Sequence, residues 1–249
     1  MDTVINNNNI YNTPILSFND YIYKNSILQG KMWDEEIVDT IVKHIRDDSD
    51  FLDIGANIGL ISLGILHKMK EKPTKLSTIH CFECNPFTFT LLSSNVGKYP
   101  NIQLYPFALG DKQQLCNSMM NTWNQGCNYI YQTNDLSGNT VYDYTSVRHR
   151  SIYENEVPSM FLLSIPLDSM LYQFRKRISV IKIDIEGFEI QALKGAENLI
   201  QIHRPVIIVE IWKINLESVI TFLASLGYNK YHIINQTNED YIFYPNETI

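Results

Sequence analysis

Four short runs of this chain, FLDI (51–54), IHCFE (79–83), VIKID (180–184) and VIIVE (206–210), are almost wholly apolar and carry an acid at or beside their last position. Strands that are apolar on both sides are covered on both faces, which is the condition of a parallel sheet. Between and around them apolar residues recur at helical spacing: Ile37, Val38, Ile41, Val42 and Ile45; Leu91, Leu92 and Val96; Ile190, Leu193, Ala196 and Ile200; Leu216, Val219, Ile220, Leu223 and Leu226. Strands alternating with helices specify an α/β fold with helices on both faces of the sheet. In such sheets ligands bind outside the carboxyl ends of the strands. An unpaired buried acid is costly, so Asp53, Glu83, Asp184, Glu186 and Glu210 gathered on one rim imply partners there: the hydroxyls or amines of a ligand, or a cation.

Helix punctuation supports this layout. Asn85 and Pro86 read as an N-cap and first helical residue, Asn215 as the cap of a helix that stops at Gly227, and the first helix spans about residues 34–46. One helix is expected to run through Ile190 to Ile200, and KYHII and DYIFY read as closing strands.

The chain has 249 residues, 45% of them hydrophobic, enough for one large domain with its own core. Residues 1–27 read as an N-terminal extension and 28–249 as the domain. The start lacks the basic and apolar regions of a signal peptide and no apolar run reaches the ~18 residues of a membrane span, so a cytoplasmic location without membrane contact is expected. A balance of 20 Lys and Arg against 27 acids, net −7, disfavours nucleic acid as a partner. Cys81 and Cys84 form a C-x-x-C, but no second pair or His pair accompanies them, which weighs against a zinc or redox site.

The turn DIGANIG places Gly55 and Gly59 between the first strand and its helix, where backbone can approach a ligand and free N–H groups point outward. A dinucleotide fingerprint would need glycine at 57 and 60; this chain has Asn57 and Leu60, which argues against NAD or FAD. Glu83 ends the second strand, where an acid takes a ribose diol. An acid with Gly-x-x-x-Gly and a second-strand acid suits a ligand with a ribose and an amino-acid part but no pyrophosphate, namely S-adenosylmethionine.

These residues carry a resemblance. Through LDIGANIGLISL, FECNP, LYPFALGD, IPLDSM, VIKIDIEGFEIQALKGAENLI and RPVIIVEI, in that order over about residues 28–212, the chain resembles the FkbM family of S-adenosylmethionine-dependent methyltransferases. The resemblance implies a Rossmann-like class I methyltransferase fold: a seven-stranded, mostly parallel sheet whose last two strands form an antiparallel hairpin, with a polar insertion after the third strand. It implies methyl transfer to an oxygen of a small-molecule or saccharide acceptor. It places Asp53, Gly55, Asn57 and Gly59 near the methionine part of the cofactor, Glu83 on the ribose, and Phe107 and Ala108 near the adenine. Gly30, Trp33 and Glu36 fall where the family often covers the cofactor.

Asp184 and Glu186 then stand where the fourth strand leaves the sheet. Methyl transfer is an in-line displacement, so the enzyme aligns an acceptor oxygen and helps remove its proton. Asp184 and Glu186 are the candidate acceptor-orienting groups, either one able to act as base; alternatively the two could hold Mg²⁺. Glu189 reads as a first-turn acid favoured by the helix dipole. Glu210 is a candidate acceptor contact that could instead pair with Lys182 or Lys213.

From about 116 to 158 the apolar periodicity disappears. This insertion holds Trp123, Tyr129, Tyr131, Tyr142, Tyr144 and Tyr153 with Arg148, His149 and Arg150. Trp123, Arg148 and His149 are the candidate acceptor contacts, since rings beside guanidinium groups suit sugar rings and a phosphate. A substrate lid and a solvated β-hairpin are equal readings of the segment. The function reads as S-adenosylmethionine-dependent O-methylation of a sugar or related hydroxyl in glycan or polysaccharide synthesis; the alternatives are methylation of an RNA cap ribose and a cofactor-binding scaffold.

Overall fold

The computed structural model describes residues 10–120 apart from 12, 19 and 20, then 128–131, 157–235 and 239–246. Helix α1 (Tyr21–Asn25) and a 3₁₀ turn (Ile27–Gln29) precede α2 (Glu35–His44). The alternation then begins: β1 (Ser49–Ile54), α3 (Leu60–Met69), β2 (Leu76–Phe82), α4 (Pro86–Val96), β3 (Ile102–Tyr105). Four strands follow, β4 (Ala108–Leu109), β5 (Gln114–Met120), β6 (Asn128–Tyr131) and β7 (Val157–Ile165), then a 3₁₀ helix (Leu167–Gln173). The chain closes with β8 (Ile178–Ile183), α5 (Glu189–Lys194), α6 (Glu197–His203), β9 (Val206–Glu210), α7 (Leu216–Ser225), β10 (Lys230–Asn235) and β11 (Asp240–Tyr244).

The main sheet has the order β10-β11-β9-β8-β1-β2-β3. Strands β3, β2, β1, β8 and β9 are parallel neighbours; β11 runs antiparallel to β9 and to β10. This is the seven-stranded sheet with a closing hairpin that the sequence implies. Because chain order advances from β1 toward β3 on one side and from β8 toward β9 on the other, the sheet has a topological switch point between β1 and β8.

The pleat divides the core in two. Phe51 of β1 packs with Ile41, Leu63 and Leu92 of α2, α3 and α4, while Leu52 and Ile54 pack with Leu193, Leu199 and Leu223 of α5, α6 and α7. The segment before residue 28 is part of the first layer: Tyr11, Ile15, Ile22 and Ile27 are buried in it. Buried Asn95 of α4 fixes that segment, accepting from Leu16 N at 2.7 Å and donating to Leu16 O at 2.9 Å and Ile58 O at 2.8 Å.

Two helix expectations change, and the polar segment goes beyond its hairpin reading. The helix from Ile190 to Ile200 is two helices, because a Cβ on Gly195 would come 1.9 Å from the Gly110 carbonyl oxygen and the chain kinks to let that loop in. Asn215 sits at the start of α7, but its side-chain amide donates to Gly187 O at 3.1 Å instead of capping. The polar region also contains sheet: β5 pairs with β6 and β7, and β7 with β4, in a second, four-stranded sheet whose Ala108, Cys116 and Leu162 pack on Phe188. Among the described residues no helix is long and apolar enough to cross a membrane.

Candidate active site

The carboxyl ends of β1, β2, β8 and β9 open onto a cavity of about 400 Å³. It is lined by Gly55, Ala56 and Asn57 after β1, by Glu83 and Cys84 after β2, by Phe107, Ala108 and Leu109, by Lys182, Asp184, Ile185 and Glu186 around the end of β8, and by Glu210 of β9. Tyr21, Asn25, Trp33 and Asp34 line it from the N-terminal segment.

The β1–α3 turn is shaped by its backbone. Gly55, Asn57 and Gly59 all have positive φ, at 78°, 51° and 90°. A Cβ on Gly55 would lie 1.8 Å from the carbonyl oxygen of Asp184, so glycine is what allows the ends of β1 and β8 to meet. Gly59 faces Val96 and Leu92 of α4 and does not line the cavity. Glu83 ties the turn to β2: Asn57 N donates to Oε2 at 3.1 Å and Asn85 N to Oε1 at 2.8 Å. Burial raises its pKa to about 7, opposed by those two amide bonds. Each oxygen keeps a second lone pair for a hydroxyl donor. A ribose-bearing cofactor fits this arrangement, with Phe107 and Ala108 offering an apolar wall for its base.

Beneath the rim lies Lys182, 6% exposed. Parallel register sets it beside Asp53, and its ammonium stands 3.7 Å from Asp53 Oδ1 and 3.1 Å from Asp184 Oδ2 while donating to Gly55 O at 3.1 Å. Burial works against its charge, but Asp184 and Asp53 hold its pKa above the usual lysine value. Asp53 is fully buried, accepts from Ser62 Oγ at 2.6 Å, and does not line the cavity. Burial raises its pKa despite Lys182 and Ser62. Asp53 and Gly59 therefore support the floor, while Gly55, Asn57, Glu83, Phe107 and Ala108 face the space above it.

Asp184 and Glu186 both line the cavity, Glu186 with φ of 55° and Gly187 behind it at 102°. Glu210 pairs with neither lysine suggested for it. Lys182 is taken by Asp53 and Asp184, Lys213 lies 3.9 Å from Glu239, and Glu210 hydrogen-bonds Asp184. Burial first, then Asp184 and Glu186, push the Glu210 carboxyl far above the usual range, so Glu210 and Asp184 share a proton in that bond. Glu189 is the first-turn acid of α5, as expected, and it is also buried: it is 1% exposed, its Oε1 accepts from Gly187 N at 2.7 Å, and burial raises its pKa to about 8. Asp34, with pKa raised to about 6 by burial and by Asp184, was not foreseen, nor was the role of Lys182. A charged residue inside the apolar run IKID, two positions from an acid and so on its face, is the signal that points to Lys182.

Of the residues expected to cover the cofactor, Trp33 lines the cavity; Gly30 and Glu36 do not. Trp123, Arg148 and His149 lie outside the described residues. Among the described residues no three His, Cys, Asp or Glu side chains are grouped to hold a metal ion.

Residues 53–230 match the Methyltransferase FkbM domain, more than half of the chain. No curated protein matches the chain. A solved structure of Methyltransferase FkbM from Methylobacillus flagellatus KT is similar in fold, with a TM-score of 0.53 at 18% identity over 80% of this chain and 44% of that one. This chain thus spans less than half the length of that protein. A precorrin-6y C5,15-methyltransferase from Geobacter metallireducens GS-15 aligns over 80% of this chain and 73% of its own at 14% identity and a TM-score of 0.41. TYW2 from M. jannaschii, in complex with AdoMet, aligns over 94% and 84% at 12% identity and a TM-score of 0.40. With the sheet order and the domain match in agreement, the chain belongs to the FkbM family of S-adenosylmethionine-dependent methyltransferases and carries the class I methyltransferase fold.

Proposed function

We propose that this protein transfers a methyl group from S-adenosylmethionine to a hydroxyl of a sugar or related small molecule, in glycan or polysaccharide synthesis. The observation that carries the reading is the cavity at the switch point, with Glu83 and the β1–α3 turn on one side and Asp184, Glu186 and Glu210 on the other. Glu83 takes the ribose hydroxyls, Phe107 and Ala108 border the adenine, and Gly55 and Asn57 admit the methionine part. Asp53 and Gly59 hold that turn from below. The bound cofactor supplies a methyl group on a positively charged sulfur.

Asp184 and Glu186 orient the acceptor oxygen and one of them accepts its proton as the bond to carbon forms. A proton shared between Glu210 and Asp184 lets the two acids stand together. Among the described residues a carboxylate, and no grouped metal ligands, is the base at hand. An RNA acceptor gains nothing from a cavity whose one cation among the described residues, Lys182, is already paired.

Titration of S-adenosylhomocysteine by calorimetry tests the cofactor reading. Micromolar affinity is expected, weakened at least tenfold by Glu83→Ala, about 1.4 kcal/mol or more. Asp184→Asn and Glu186→Gln should keep that affinity and lose transfer of labelled methyl to glycan extracts. Unchanged affinity in Glu83→Ala would overturn the assignment.

A further inference from the structure

One wall of the cavity lies outside the matched domain, which begins at residue 53: Tyr21 and Asn25 of α1, and Trp33 and Asp34 before α2. Resting on the methyltransferase reading above, we propose that this wall is the acceptor subsite and that it takes a hydroxylated ring bearing no phosphate or carboxylate, either neutral or carrying an amine.

The first argument is shape. The Tyr21 and Trp33 rings meet edge to face, centroids 6.2 Å apart at 86°, and Tyr21 is 59% exposed although Ile22 and Tyr23 beside it are buried. An anchored helix therefore holds one aromatic ring out at the cavity mouth. Trp33 is fixed in turn through its backbone, whose N–H donates to the Tyr11 hydroxyl at 2.8 Å. Such a corner offers ring faces to the C–H side of a sugar-like ring. Asn25 Nδ2 donates to Tyr21 O at 2.8 Å, which orients its amide oxygen as an acceptor for hydroxyls. Asp34 sits close enough to Asp184 and Lys182 for both charges to act on it, so this wall faces the rim where the reaction takes place.

The second argument is charge. Five carboxyl groups line the cavity, those of Asp34, Glu83, Asp184, Glu186 and Glu210, against one cation among the described lining residues, Lys182. That ammonium is already engaged by Asp184, Asp53 and Gly55 O. S-adenosylmethionine brings a sulfonium, an ammonium and a carboxylate, a single net positive charge. Even with one proton shared between Asp184 and Glu210, the described lining of the loaded cavity stays negative. Among the described lining residues an anionic acceptor would find no free counter-ion, whereas hydroxyls and an ammonium find acceptors throughout.

The test uses the full chain, labelled S-adenosylmethionine, and extract of the source cells divided by charge into a fraction retained on an anion exchanger, one retained on a cation exchanger, and one retained on neither. Label should enter the unretained or cation-exchanged fraction. Tyr21→Ala, at an exposed position that leaves the fold intact, should raise the KM for that fraction at least tenfold while S-adenosylhomocysteine affinity stays within twofold of wild type. Label confined to the anion-exchanged fraction, or wild-type KM in both Tyr21→Ala and Trp33→Ala, overturns the proposal. So does absence of label from every fraction while the wild type binds S-adenosylhomocysteine, an outcome that leaves the cofactor reading standing. Failure of the wild type to bind S-adenosylhomocysteine defeats the cofactor reading instead.

Discussion

Lys182 keeps its charge inside a buried strand only because Asp53 and Asp184 flank it, and fully buried Asp53 in turn is tolerable only beside Lys182. Removing one member of such a group strands the others, at a cost of about 3–5 kcal/mol. Lys182→Met should lower unfolding stability by that amount in urea, and adding Asp53→Asn should restore part of it, because the two changes share one interaction. A sum of the two single losses in the double variant would show that the residues do not act together. The acids of this group are conspicuous in the sequence, since each interrupts an apolar run. Their partners are not: the choice between Lys182 and Lys213 for Glu210 depends on register, and β1–β8 register gives Lys182 to Asp53.

At the scale of elements, the short helix α6 is capped from a distance. Asp168, in the segment IPLDSM, accepts from the backbone N–H of Leu199 at 2.9 Å and of Asn198 at 2.9 Å, and from Asn198 Nδ2 at 3.0 Å. These are N–H groups that a helix start leaves open. Asp168→Ala should cost about 1 kcal/mol in denaturant unfolding and leave S-adenosylhomocysteine affinity unchanged. The sequence supplies no local cap at this start, because Ala196 holds that position, and the periodicity from Ile190 to Ile200 runs through the break. Both helices turn the same apolar side to the sheet, so spacing alone cannot see the kink that Gly110 forces at Gly195. The hairpin reading of the polar segment reached the β5–β6 pair but not the four-stranded sheet: Leu115 and Leu163 are exposed while Cys116 and Leu162 are buried, so its strands read as mixed polarity.

The molecule as a whole places several acids where burial raises their pKa: Glu189 to about 8, Asp240 and Glu83 to about 7, Asp34 to about 6. A folded-state pKa above the unfolded value favours the folded state at low pH. That contribution is complete below about pH 4.5, the usual glutamate range, and is lost as pH rises through the folded pKa. Stability should therefore fall between pH 5.5 and 8, by on the order of 3 kcal/mol for fully buried Glu189 alone. Urea midpoints at the two pH values measure it, and Glu189→Gln should flatten the slope; an equal slope in that variant would remove Glu189 as its source.

The sequence by itself determined the alternation of strands and helices, the two closing strands and the rim of acids, because periodicity and a charge at the end of an apolar run are local properties written into neighbouring residues; their pairing as a hairpin came from the family resemblance. Tertiary structure alone decided which acids face the cavity, which lie under its floor, and that residues 21–34 close its open side. Those outcomes depend on register between strands far apart in the chain and on packing of an N-terminal segment whose own pattern is too short to announce its place.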